Sequence, residues 1–175
     1  RDSTSSRGLE MCIRDRANGS NYKKVKFPLP RKSDINGEHK GQLLLKLNEA
    51  WRGFNTGDLV SFNVYDFMEN GEINDVNLVF SPDEKSSMGN LGITKSKVLL
   101  SIYRNVSGAA FEFNWNGKKW TSKKLPFPEN GSVSIGNTNP KEDIAFISAE
   151  SFLKPDTLYT FNTATGDKAI AKSLP

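Results

Sequence analysis

Residues 97–125 read KVLLSIYRNVSGAAFEFNWNGKKWTSKKL. The segment opens on an apolar run, Val98–Leu100. It goes on to alternate: Phe111, Phe113 and Trp115 fall on one side, Glu112 and Asn114 on the other. Alternation at period two is the mark of a half-buried strand. Asn116-Gly117 follows, the strongest short hairpin signal, because both turn positions favour positive φ. Trp120–Leu125 then returns as a further strand. A helix would place apolar residues at i, i+3 and i+4, and no run of ten does so. The stretch therefore predicts consecutive antiparallel strands.

The same unit recurs on either side. Gly71, Gly117 and Gly166 close the stretches FNVYDFMENG, FEFNWNG and LYTFNTATG, and are 46 and 49 residues apart. Each stretch follows an apolar strand: QLLLKLNEAW, KVLLSIYRNV, DIAFISAESFL. Each apolar strand follows a turn-rich lead-in: KSDINGEHKG, SSMGNLGITKS, SVSIGNTNPKE. Each hairpin runs into an outer strand: NDVNLVFSP, KWTSKKLPFP, KAIAKSLP. The predicted strands are Gln42–Leu47, Leu59–Asp66, Asn74–Phe80, Lys97–Tyr103, Ala110–Trp115, Trp120–Leu125, Ser132–Gly136, Ile144–Ser148, Thr157–Asn162 and Lys168–Lys172. A repeat of about 40–50 residues with four strands is the signature of a β-propeller blade. The expectation is all-β: a partial β-propeller over residues 17–175, with about three four-stranded blades near 23–82, 83–128 and 129–175. Three blades cannot close a ring, since closed propellers typically carry about 4–8. An ordinary β-sandwich of this length is the competing architecture.

The N-terminus reads differently. SRGLEMCIRDR, Ser6–Arg16, holds Cys12, the only cysteine of the 175 residues. It lacks the apolar run of about 7–15 residues that a secretory signal needs. Met-Cys-Ile-Arg-Asp-Arg is what ATG TGT ATA AGA GAC AG encodes in frame. That string resembles the mosaic-end adapter of transposase-based sequencing libraries. Residues 1–16 are therefore set apart as a non-native, adapter-derived segment expected to be disordered, with the coding sequence joining near Ala17. A disordered native N-terminus is the alternative. Without the four arginines and three acids of residues 1–16, the net charge falls from +4 to +3. The mild, dispersed basic balance gives no case for nucleic acid. No apolar run approaches the ~18 residues of a membrane span.

The chemistry-bearing residues are sparse. His39 is the only histidine, and GEHKG reads as a solvated loop. A Ser-His-Asp triad needs a histidine beside a serine on a sharp turn. The nearest sequence to such a turn is GSVSIG, Gly131–Gly136, whose alternation reads as a blade strand instead. Zinc needs about four N or S ligands, or three plus water, which one histidine and no native cysteine cannot supply. No phosphate-cradling glycine motif occurs. No catalytic, cofactor-binding or metal residue is assigned. Trp51, Trp115 and Trp120 read as blade packing, with a sugar-stacking platform at Trp115 and Trp120 as the alternative. Lys118, Lys119, Lys123 and Lys124 read as the solvated face of an outer strand. Asn105-Val-Ser107 and Asn130-Gly-Ser132 match the glycosylation sequon.

The run SAESFLKPDTLYTFNTATGDKAIAKSLP, Ser148–Pro175, is similar to the last propeller blade of the prolyl oligopeptidase family. GQLLLKLNEAW with GDLVSFNVYDF, then LLSIYRNVSGAAFEF, then NGSVSIGNTNPKEDIAFIS resemble the blades before it and the entry to it, in family order. The resemblance spans nearly all of residues 23–175. It implies a bacterial parent enzyme of two domains: a seven-bladed propeller over an α/β-hydrolase domain with a serine nucleophile, an aspartate and a histidine. Such a serine endopeptidase cleaves short peptides after proline, and its propeller restricts access. This chain resembles the final three blades only. The family's three catalytic residues have no matching positions here. The implied partners are the missing hydrolase domain, the remaining blades and, for the parent, short proline-containing peptides, with no nucleic acid and no membrane. The parent is expected in periplasm or cytoplasm. A stand-alone β module, binding carbohydrate through Trp115 and Trp120, is the second reading.

Overall fold

The computed structural model describes residues 9–14, 22–128, 131–151, 153 and 155–173. The fold is all-β, with three four-stranded antiparallel sheets among the described residues, as in a partial β-propeller. Two strands precede them: Leu9–Arg14 (β1) pairs with Tyr22–Phe27 (β2). The first sheet comprises Ser33–His39 (β3), Gln42–Leu47 (β4), Leu59–Asn63 (β5) and Val76–Phe80 (β6). The second comprises Ser86–Ile93 (β7), Val98–Arg104 (β8), Ser107–Trp115 (β9) and Trp120–Lys124 (β10). The third comprises Gly131–Ile135 (β11), Ile144–Ser151 (β12), Thr157–Asn162 (β13) and Lys168–Ser173 (β14). Each sheet is a meander whose strands follow chain order.

Residues 9–14, within the segment set apart as adapter-derived, lie in β1. Leu9, Met11 and Ile13 alternate with Glu10, Cys12 and Arg14, a period of two that the search for a helical face passes over. An alternating stretch with a partner strand in register pairs whatever its origin.

The chain divides into two units. Residues 1–37 and 41–81 form one; residues 38–40 and 82–175 form the other. In the first unit, β4 and β5 are buried at nearly every position. Such continuous apolar runs belong to sheets covered on both faces. Leu43, Leu45, Leu47, Val60, Phe62 and Val64 pack there with Leu29, Phe67 and Ile73. Each fully buried leucine contributes about 1.5–3 kcal/mol of transfer free energy.

Val64–Asn70 (α1) is the main departure from the predicted strands. The expected strand Leu59–Asp66 ends at Asn63, whose side chain accepts from the Tyr65 and Asp66 N–H groups, both at 3.0 Å. That satisfies two of the orphan donors of a helix N-terminus. Gly71, at φ 75°, caps the other end, its N–H donating to Phe67 C=O. So Asn70-Gly71 is a helix stop rather than a hairpin turn, and a seven-residue helix is too short for a ten-residue periodicity test.

The expected turn chemistry holds in part. Gly117 and Gly166 take positive φ, but their neighbours Asn116 and Thr165 do not. Asn116 instead accepts from the Lys118 and Lys119 N–H groups through its side chain, both at 2.9 Å.

In the second unit, one face of the third sheet packs on the second. Val133, Ile135, Ala145, Ile147, Ala149, Tyr159 and Phe161 meet Leu99, Ala110, Leu125 and Phe127. Phe127 stands edge-on to Tyr159 and Phe161, with centroids at 5.1 and 5.8 Å. β12 alternates strictly, so Ala145, Ile147 and Ala149 are buried while Ile144 and Phe146 stay exposed.

Candidate functional site

His39 is not the solvated loop residue its sequence context suggests. It ends β3, is 3% exposed, and its ring lies 6.1 Å from that of Trp120. Lys40 and Gly41, at φ 51° and 84°, turn the chain back at once, so no loop is left to carry the histidine into solvent. Trp120 pairs directly with Trp115 across β9 and β10, their rings 5.6 Å apart. Burial, reinforced by the charges of Lys40 and Lys97, lowers the His39 pKa to about 4. Its Nε2 has no hydrogen-bond partner. At neutral pH the ring is thus an uncharged packing element.

Trp115 and Trp120 meet on adjacent strands of one sheet, where packing between adjacent blades was the expectation. Each is half-buried, and the Trp120 ring has those of Trp115 and His39 as tilted neighbours. Trp51 carries Arg52 over its ring at 5.0 Å. Lys118, Lys119, Lys123 and Lys124 are exposed on or beside β10. Asn105 sits at the exposed β8–β9 turn, and Asn130 lies outside the described residues.

GSVSIG is a blade strand, as its alternation predicts: Gly131–Ile135 is β11, the edge of the third sheet. Ser132, Ser134, Ser148, Glu150, Asp156 and Lys172 line an open groove of about 400 Å³ on that sheet. Sequence reasoning missed this groove, because it is assembled from four separate segments. It offers hydroxyls and carboxylates but no histidine to take a proton from a serine, so it cannot act as a triad. Among the described residues, no three His, Cys, Asp or Glu side chains converge as a metal site.

A family profile described as prolyl oligopeptidase, N-terminal beta-propeller domain, matches residues 4–173. The chain belongs to the prolyl oligopeptidase family, within its propeller domain. The match begins inside the segment set apart as adapter-derived. The uncharacterized peptidase y4nA of Sinorhizobium fredii is 30% identical over 181 residues, covering 98% of this chain and 25% of its own. The uncharacterized peptidase RP174 of Rickettsia prowazekii is 26% identical, covering 88% of this chain and 22% of its own. Among solved structures, a post-proline cleaving enzyme from Rickettsia typhi superposes with a TM-score of 0.74 at 23% identity, over 98% of this chain and 26% of its own. Oligopeptidase B from Trypanosoma brucei superposes with a TM-score of 0.61 at 14% identity, over 95% and 24%. This propeller segment thus spans about a quarter of the length of its relatives. It corresponds to propeller alone, and the catalytic domain of such enzymes is outside it.

Proposed function

We propose that the chain is the last three blades of the propeller of a prolyl-oligopeptidase-like serine endopeptidase that cleaves short peptides after proline. In that parent the blades shield the hydrolase domain and restrict entry to short peptides. The observation that supports this most is coverage: a propeller profile runs across residues 4–173, in a chain a quarter as long as its peptidase relatives. The similarity to a post-proline cleaving enzyme supports the substrate class. Residues 1–16 are read as adapter-derived on the strength of Met11–Arg16.

The test is to re-read the source nucleic acid across both ends without transposase adapters, then express whatever frame results. The reading requires a frame that continues into a strand–turn–helix bearing a nucleophilic serine. The expressed parent must cleave a short chromogenic peptide after proline, and must spare a folded protein of the same sequence context. A frame that begins with residues 1–16 and stops at Pro175 would remove both the adapter and the peptidase reading.

A further inference from the structure

The seam between the second and third sheets carries more than apolar packing. β11 is an edge strand, paired only with β12. Gly136 N–H donates to Phe146 C=O at 2.6 Å, so antiparallel alternation turns the Ile135 N–H and C=O towards the open edge. An open edge is a row of unpaired donors and acceptors. Here side chains of the second sheet fill it. Asn90 Oδ1 accepts from Ile135 N–H at 3.0 Å, and Asn90 Nδ2 donates to Ile135 C=O. Tyr103 O–H donates to Val133 C=O, two residues back, at 2.9 Å.

Asn90 reaches that position because β7 is irregular between Met88 and Leu91. A bulge re-aims a side chain that would otherwise lie on a sheet face. Ser101, fully buried, donates to Asn90 Oδ1 at 2.9 Å and accepts from Asn90 N–H at 2.8 Å, which fixes the amide in place.

The far end of the seam is pinned by a buried polar cluster. Thr94 and Thr163, 1% and 3% exposed, share a hydrogen bond of 2.8 Å. Thr163 O–H also reaches Asp143 Oδ1 at 2.9 Å, and Ser96 N–H donates to the same oxygen at 3.0 Å. Lys95 N–H donates to Glu142 C=O at 2.9 Å.

We propose that these contacts form a two-ended latch that makes the second and third sheets one rigid body, with the Asn90 amide standing in for the missing neighbour strand of β11. If the propeller gates peptide entry, a consequence resting on the proposed function above, the opening lies at another seam. The latch itself does not depend on that reading.

Amide hydrogen exchange on the 175-residue chain tests it. Ile135 N–H reports one end of the latch and Ser96 N–H the other. In Asn90→Ala, Ile135 N–H should exchange about tenfold faster or more, on losing its partner. If the sheets part as one body, Ser96 N–H should accelerate as well. Thr163→Val should in turn accelerate Ile135, while amides within the β8–β9 ladder keep their rates in both variants. Asn90→Asp, which keeps the acceptor but repels Ile135 C=O, should fall between wild type and Asn90→Ala. Asn90 is exposed, and in Asn90→Ala the buried Ser101 hydroxyl keeps the residue's backbone N–H and C=O as partners. Solvent-like exchange of Ile135 and Ser96 in the wild type would overturn the proposal. So would an Asn90→Ala effect that stops at Ile135, since each contact would then be an independent local bond.

Discussion

Lowering the pH from 7 to 5 should destabilise the native chain by about 2 kcal/mol through His39 alone. In the unfolded chain the imidazole titrates near its ordinary 6.5; in the folded chain burial first, then Lys40 and Lys97, lower its pKa to about 4. Between these values the unfolded state binds the extra proton, so stability falls as the pH falls. The contribution is intact above pH 6.5 and is lost progressively as the pH approaches 4. Each pKa unit of difference is worth about 1.4 kcal/mol, and pH 5 lies about 1.5 units below the unfolded value. The assay is the urea midpoint at pH 7 and pH 5 for wild type and His39→Gln, whose difference cancels the other titrating groups. His39 is the only histidine in the sequence, so its imidazole resonance can also be followed by NMR without assignment. A midpoint near 6.5, or equal pH dependence in the two proteins, would refute the reasoning.

The helix cap offers a second check: Asn63→Ala should cost about 1 kcal/mol of stability in urea unfolding, since two α1 N–H groups lose their acceptor. Gly117→Ala has open space for its Cβ but a φ of 97°, so it should cost about 1 kcal/mol through backbone strain alone, read as a fall in urea midpoint. Gly131→Ala would drive its Cβ into the Glu150 carbonyl, and should show far weaker amide protection along β11 than wild type. Ile144 and Phe146, 42% and 41% exposed on the face of β12 opposite its packed side, should bind an apolar-sensitive dye, with Phe146→Ser lowering the signal severalfold. Trp120→Ala should lower stability by about 1–3 kcal/mol through lost ring contacts, and leave the chain's response to a glycan panel unchanged.

Wherever one strand's own pattern carries the information, the fold was legible. Gln42–Leu47 and Thr157–Asn162 form strands with the predicted bounds, because apolar runs and period-two alternation are local properties. The lead-in strands β3 and β7 follow from the four-strand repeat, but their own residues do not mark their bounds. SDINGEH and SSMGNLGI carry glycine and asparagine where strands usually carry branched side chains, and partner strands override that weak preference. β1 was missed for a related reason, since its alternation has meaning only opposite β2. α1 was missed because two residues, Asn63 and Gly71, define it, and its single buried edge is too short to show a period.

The candidate site followed the same division. The sequence alone left too few ligands for a zinc site of histidines and cysteines, because it holds one of each. It also supplied the blade repeat, since strand pattern and turn residues recur at fixed spacing. Only the tertiary structure placed His39 against Trp120, joined Asn90 to Ile135 and gathered Thr94, Thr163 and Asp143 at the far end of one seam. Those contacts link residues about 20 to 80 positions apart, and no local pattern encodes which distant partner a side chain will meet. Hydrophobic periodicity fixes which face of a strand is buried. What that face is buried against, and what the burial does to a pKa or a hydrogen bond, depends on how the sheets are stacked.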